Sequence, residues 1–521
     1  MAQIPSLRKS GLQTIMVMSL TLLSRLLGFI RLSVIAVFFG ASYRADVLHA
    51  VFNIPNNMRK LLAEGALSSA FIPVLSTSLV DDKTGGSARK IVQTIITFQL
   101  VLLIPLSALS IAFAGPIIRT ILDFPVPEQI DTAVRLFRWL INYLILISIS
   151  AVLMGVINSH HRFFIPALTP IWFSVAVIGS IVLFHNQFGI FSVVFGVLAG
   201  GAGQLIFQVP LFRKLGYSYK LNFDFSDPAF RKFLRQWVPV AATASISTIN
   251  QQVAVFFASG LEEGSVSAMS NAVVFWQLPF GIFSASITTV LFPRMSRQAA
   301  LKDLDGLGET LQYGFRYLIA LLVPSGIIFG FMGKEIISVA LQSGEFETWN
   351  TILTARVLTA FSVGLLSVGT YTFFLRYFYA RNQYKIPIAA STAVLIIDIL
   401  LSLWLKETRL RVVGLALANS ISFTVGAVIL FVGSYRSTGG IPLRQTAVTA
   451  LKTAAAAIPL SIYLLLYLKI TGPWWMEGRT MKTLLLLLIG GMIAVGVIFF
   501  SYAVLEVEVV KTLFSRRIKK K

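Results

Sequence analysis

The stretch TLLSRLLGFIRLSVIAVFFG (residues 21–40) is apolar enough to enter a bilayer, yet it carries Arg25 and Arg31 on either side of Gly28. A second stretch, NIPNNMRKLLAEGALSSAFIPVL (53–75), sets Asn56, Asn57, Arg59, Lys60 and Glu64 into another apolar pattern, with Asp46 just ahead of it. A charge at membrane depth costs about 3 kcal/mol on insertion scales and must face protein, water or a charged ligand. Four cations against two acids (Asp46 and Glu64) leave an excess that an anion would balance. The arginine fork grips two oxygens at once, which suits phosphate or pyrophosphate. The competing reading is salt bridging inside the bundle, Arg59 or Lys60 with Glu64 and Arg25 or Arg31 with Asp46. It serves for single residues but not for the surplus.

Spacing refines this. Six residues along a straight helix set Arg25 and Arg31 about 120° and roughly 9 Å apart, so a bend near Gly28 is expected to bring both heads to one site. Pro55 is expected to kink the second helix, with Asn56 on the face of Arg59 and Lys60. Asn250, Gln251 and Gln252 either line a cleft or hydrogen-bond between helices. Asp398, in AVLIIDILLSLWL, is either a cation or proton site or a structural partner for Asn419. With no cysteine and only four histidines, the chain excludes disulfides, thiolate catalysis and Cys-ligated metals. No metal site and no cofactor motif is found.

Helices must position these residues. The chain has 521 residues, 56% apolar and 13% charged, with mean hydropathy +0.79, whereas a soluble domain is about 25% charged. This composition predicts an all-α polytopic membrane protein. Fourteen apolar runs are long enough to span, from 12–39 and 46–79 through 235–259 and 267–292 to 447–470 and 481–503. With both termini on one side, that side collects 28 of the 44 Lys and Arg, and the other side and its helix ends hold 12. The positive-inside rule then makes both termini cytoplasmic and explains the net charge of +22 without nucleic acid.

Three pairs of segments recur in order at nearly one offset: SSAFIPVLS (68–76) with TTVLFPRMS (288–296), AGPIIRTIL (114–122) with MGKEIISVAL (332–341), and NSHHRFFIPALTP (158–170) with ARNQYKIPIAAST (380–392). Residues 1–220 and 221–440 are expected to form two six-helix halves facing a central cleft, and 441–521 to add two helices and a basic tail. The added pair is either an accessory bundle or a groove for a lipid tail. The charged residues of the first two helices have no charged counterparts in AATASISTINQQVAVFFASG or NAVVFWQLPFGIFSASITTVLF. The cationic chemistry belongs to the first half.

SRLLGFIR (24–31), ADVLHAVFNIPNNMRKLLAEGALSSAFIPVL (45–75), GVINSHHRFFIPALTP (155–170) and FYARNQYKIPI (378–388) resemble the MurJ (MviN) family of the multidrug/oligosaccharidyl-lipid/polysaccharide exporter superfamily. The resemblance covers essentially the whole chain. It implies a lipid II flippase of the bacterial cytoplasmic (inner) membrane, carrying the undecaprenyl-pyrophosphate-linked peptidoglycan precursor to the outer leaflet by alternating access. The family's arginines match Arg25, Arg31 and Arg59, its acid at the start of helix 2 matches Asp46, and its AEG matches Ala63-Glu64-Gly65. Asn56 and Lys60 complete the expected substrate-binding set, and Asp398 is the acid offered for a cation site. The family's helix 8 arginine and glutamate are replaced by Val274 and Gln277, so either the first-half arginines hold pyrophosphate alone or the substrate differs.

The expected partners are lipid II or a related polyprenyl-pyrophosphate lipid and membrane lipids, with no nucleic acid, and the chain is expected to act as a monomer. The energy source stays open between a coupling ion (Na+ or H+) and the membrane potential. The alternatives are a flippase for another polyprenyl-pyrophosphate glycan, or a drug/cation antiporter of the same fold, whose cleft should be acidic or aromatic. A membrane glycosyltransferase would need catalytic carboxylates or histidines in a sizeable outer loop, and every outer loop is short. The chain is not expected to be an enzyme.

Overall fold

A computed structural model describes residues 7–62, 66–82, 85–160, 162–437 and 443–510. Described residues outside turns and short links are helical, as a bilayer demands: a helix satisfies its own backbone hydrogen bonds where no water can. The chain divides into two compact units, Met1–Gly260 and Leu261–Lys521.

The first unit holds α1 (Leu7–Phe39), α2 (Tyr43–Leu62), α3 (Ala66–Asp81), α4 (Gly86–Ala112), α5 (Ala114–Ile121), α6 (Pro127–Leu140), α7 (Tyr143–Ser159), α8 (Phe164–Phe188), α9 (Phe191–Lys214) and α10 (Pro228–Ser259). Its main core joins α3, α4, α7 and α9 to the start of α10 through Phe71, Val92, Val152, Phe212, Phe230 and Phe233, all fully buried. The second unit holds α11 (Ser265–Pro279), a π-helical turn (Phe280–Ser284), α12 (Ala285–Ala300), α13 (Leu304–Leu341), α14 (Thr348–Val363), α15 (Leu365–Ala380), α16 (Lys385–Leu405), α17 (Val412–Ser437), α18 (Arg444–Thr471), a 3-10 turn (Gly472–Glu477) and α19 (Met481–Val504). Its core packs Leu311, Leu318 and Leu322 of α13 against Phe373, Tyr377 and Phe378 of α15.

The packing order recurs. In the first unit α2 lies on α6, α3 on α7, and both α7 and α8 on α9; in the second α11 lies on α14, α12 on α15, and both α15 and α16 on α17. Each unit also carries a broken rod. Ile141 and Asn142 interrupt residues 127–159, and a 46° bend separates α14 from α15. The parallel fails at one helix. In the first unit α1 packs on α8, whereas α10, which follows the boundary expected at 220, packs on α2 and α3 of that same first unit.

A double ion pair fixes the start of α10. Lys90 of α4 reaches Asp224 at 2.8 Å and Asp227 at 3.2 Å, and Asp227 caps α10 by accepting from the Ala229 and Phe230 amides. Asn222 bonds Thr94 and Thr97 at 2.8 Å each. The link after α9 is thus seated on α4, and α10 belongs to the first compact unit, which ends at Gly260.

Among the described residues eleven helices are long and apolar enough to span, or twelve when α14 and α15 count as one. The expected count of fourteen is not reached. Of the expected runs, 46–79 falls on α2 and α3 around residues 63–65, which lie outside the described set, and 235–259 falls on α10. Both are long, but Asn56, Asn57, Arg59 and Lys60 in α2 and TASISTINQQ (243–252) in α10 lower their hydropathy.

Candidate functional site

The first unit gathers cations, amides and aromatic rings from α1, α2, α7, α8 and α10. Arg31 of α1 lays its guanidinium over the Phe173 ring of α8, 4.9 Å from the centroid, and its Nη1 donates to Ser174 Oγ at the long limit of 3.5 Å. An aromatic face attracts a cation that has lost its water. Phe173 packs 5.6 Å from Tyr143, which in turn lies 6.0 Å from Phe52 of α2. Tyr143 opens α7 directly after the break at Ile141 and Asn142, so the break itself sets the ring among the cations.

Arg59 of α2 donates from Nε and Nη2 to Asn56 Oδ1 at 3.2 and 3.0 Å. The expected i, i+3 face is therefore formed. The charges of Arg31 and Arg59 lie close enough to act on each other and on the Tyr143 hydroxyl. Lys60, next along α2, donates to Asn57 Oδ1 at 3.2 Å and to Gln251 Oε1 of α10 at 2.9 Å. Of the two readings of the α10 amides, Gln251 and Gln252 bond between helices: Gln252 Nε2 donates to the Ile121 carbonyl at 3.3 Å. Asn250 is buried.

Two glycines of α9 make room for the rings. A Cβ at Gly200 would stand 3.0 Å from the Phe173 Cα and 2.8 Å from its ring, and one at Gly201 would stand 2.8 Å from the Tyr143 ring. Neighbouring Gly203 meets nothing within 4 Å. Tyr143, Phe173, Ser174, Gly200 and Gly201 escaped sequence reasoning. The signals present were the polar pair Asn142-Tyr143 inside an apolar run and the small-residue string AGGAGQ at 199–204.

The expected set does not assemble whole. Arg25 is exposed and makes no hydrogen bond or ion pair with the described residues. Helix α1 runs unbroken through Gly28, so the expected bend does not carry Arg25 around to Arg31, which a straight helix sets on a different side. Asp46 is buried in the first turn of α2, about 20 Å along that helix from Arg59. Glu64 lies outside the described residues. Asp398 is buried and accepts from Asn419 Nδ2 at 3.4 Å, which is the partner named in one of its two readings. Val274 is half-buried on α11 and Gln277 exposed. Among the described residues no group of three His, Asp or Glu side chains could hold a metal ion.

The arrangement can neutralise and orient an anion. The family model described as lipid II flippase MurJ matches residues 35–486. A probable lipid II flippase MurJ of Borreliella burgdorferi is 35% identical over 503 residues, covering 96% of this chain and 98% of that protein. Another, from Vibrio cholerae, is 29% identical and covers 94% of each chain. A solved structure described as lipid II flippase MurJ in an inward closed conformation superposes with a TM-score of 0.75 at 26% identity, over 94% of this chain and 99% of that one. An inward-facing multidrug resistance MATE family transporter shares the fold at a TM-score of 0.64 and 14% identity, over 82% of this chain and 98% of its own.

Proposed function

Since this chain belongs to the lipid II flippase MurJ family, we propose that it moves lipid II from the cytoplasmic to the outer leaflet of the bacterial inner membrane by alternating access, serving peptidoglycan synthesis. Arg31 and Arg59 bind the pyrophosphate. The observation that carries this reading is that one membrane-spanning unit holds two guanidinium groups, Arg31 on the Phe173 ring that packs against Tyr143 and Arg59 on Asn56. Like charges held together in a bundle repel, and an anion between them offsets that repulsion. Arginine also supplies the paired donors that pyrophosphate oxygens accept.

An apolar groove of about 650 Å³ between α18 and α19, walled by Ala456, Pro459, Val497 and Phe500, suits part of an isoprenoid chain. Its lining is nearly all aliphatic or aromatic, as a polyprenyl tail requires.

The test is complementation of a conditional lipid II flippase mutant, with outer-leaflet lipid II measured directly. Arg31→Ala and Arg59→Ala are expected to reach the membrane and fail to complement. Full activity of both would remove the pyrophosphate site, and accumulation of a different polyprenyl-pyrophosphate glycan would reassign the cargo. Orientation is tested in the Cys-free chain. Ser87→Cys is expected to be shielded from an impermeant thiol reagent applied outside, and Ser343→Cys to be labelled; both side chains are exposed. The reverse pattern would invert the topology.

A further inference from the structure

Gln251 has no place in the cation set, yet it holds one of its members. Its Oε1 accepts from Lys60 Nζ at 2.9 Å, bridging α10 to α2 across 191 residues of sequence. The other acceptor of that ammonium among the described residues is also a side-chain amide, Asn57 Oδ1. A lysine ammonium has three N–H donors, and among the described residues two of them are directed to these amides. At the repeat offset of 220, moreover, Gln251 falls on the position of Arg31. The slot that carries a cation in α1 carries, in α10, an uncharged acceptor for a cation.

The choice of residue has a consequence. A carboxylate at 251 would hold Lys60 more tightly but would cancel its charge. An apolar residue would leave the charge but release a flexible four-carbon stem, whose freedom must then be lost on binding. An amide does neither. We propose that Gln251 is a positioning residue for anion binding: it fixes Lys60 on the face of α2 that carries Asn57, one residue from Arg59, while leaving the ammonium charged for the pyrophosphate. This rests on the arginine site proposed above and adds Lys60, through Gln251, as its third cation.

The experiment measures binding of undecaprenyl pyrophosphate to the full chain in lipid nanodiscs. Gln251→Glu is expected to weaken binding by about tenfold, the scale of one charge-assisted hydrogen bond, and Lys60→Gln by a similar factor. Gln251→Leu is expected to cost a few-fold, and Gln251→Asn, whose amide is one methylene shorter, less. Gln251 is exposed, so these variants keep the thermal transition of the parent. The decisive readout is coupling. In the Lys60→Gln background, Gln251→Leu should cost nothing further, because the partner it positions is gone. Additive losses, or parental affinity in Gln251→Glu, would overturn the proposal. Arg31→Ala and Arg59→Ala run in the same assay separate the two readings. Their losing affinity while the Gln251 variants do not would sink this proposal alone; their binding like the parent would sink both.

Discussion

Helices α2 and α11 occupy corresponding places in their units, α2 against α6 and α11 against α14, yet they are built for different work. In α2, Asn56 holds the Arg59 guanidinium through two hydrogen bonds of 3.2 and 3.0 Å. At the repeat offset, α11 has Trp276 stacked on Phe280, with ring centroids 5.3 Å apart and planes 10° from parallel. One helix uses its i, i+3 face to steady a charge; the other uses its i, i+4 face to fill space and then passes into a π-helical turn. The duplicated architecture supplies two equivalent slots, and the side chains load only one with cations. On the function proposed above, one loaded slot would supply the charge for an anionic headgroup without a second set of costly intramembrane charges.

The largest expected effect breaks the loaded side. Arg31→Lys and Arg59→Lys keep the charge but lose the fork, so each is expected to leave partial complementation where the Ala variants leave none. Lys variants as active as the parent would show that charge alone suffices. Packing behind the site comes next. Gly200→Ala must push its methyl into the Phe173 backbone, 3.0 Å away, and is expected to lower both the melting temperature and outer-leaflet lipid II. Gly203→Ala, with open space around it, should leave both unchanged. Equal behaviour of the two would dismiss the glycines as supports of the rings.

Loading the empty side is expected to do less. Val274→Arg puts a cation at a half-buried position of α11 and should leave membrane abundance near that of the parent, since a long side chain can carry its head out of partial burial. A sharp fall in abundance would show that this slot tolerates no charge. The smallest effect concerns the link seated on α4. The Lys90 ammonium, by hydrogen bonding Asp224, holds that carboxyl below its ordinary range. A lowered folded value means the contribution is present above the unfolded value of about 3.9 and is lost only as pH falls through the folded one. The melting-temperature difference between parent and Lys90→Ala should therefore be small, equal at pH 8 and pH 5, and shrink only below about pH 4. A difference that changed between pH 8 and 5 would mean another group carries the link.

Much of this was legible in the residues alone. Membrane class follows from hydropathy, which sums along the chain and needs no partner. The cations Arg31, Arg59 and Lys60 stood out because a charge in an apolar run is costly wherever the chain folds, and the Asn56–Arg59 pairing needed only helical periodicity. Asn419 as partner of Asp398 was within reach for a related reason, being the polar side chain of the neighbouring apolar run.

What depended on distant segments meeting was decided by the tertiary structure. The seat of Arg31 on Phe173 and Ser174 joins residues 143 apart, and the hold of Gln251 on Lys60 joins residues 191 apart. Spacing within one helix cannot say which neighbour a side chain will face. Arg25 shows the same limit from the other side, for it is exposed on a different face of an unbroken helix from Arg31. The seating of the start of α10 likewise joins distant residues, Lys90 of α4 with Asp224 and Asp227. Transfer free energy is local and additive, so it can be summed from a string of residues; a contact is a property of two surfaces, and only packing brings them together.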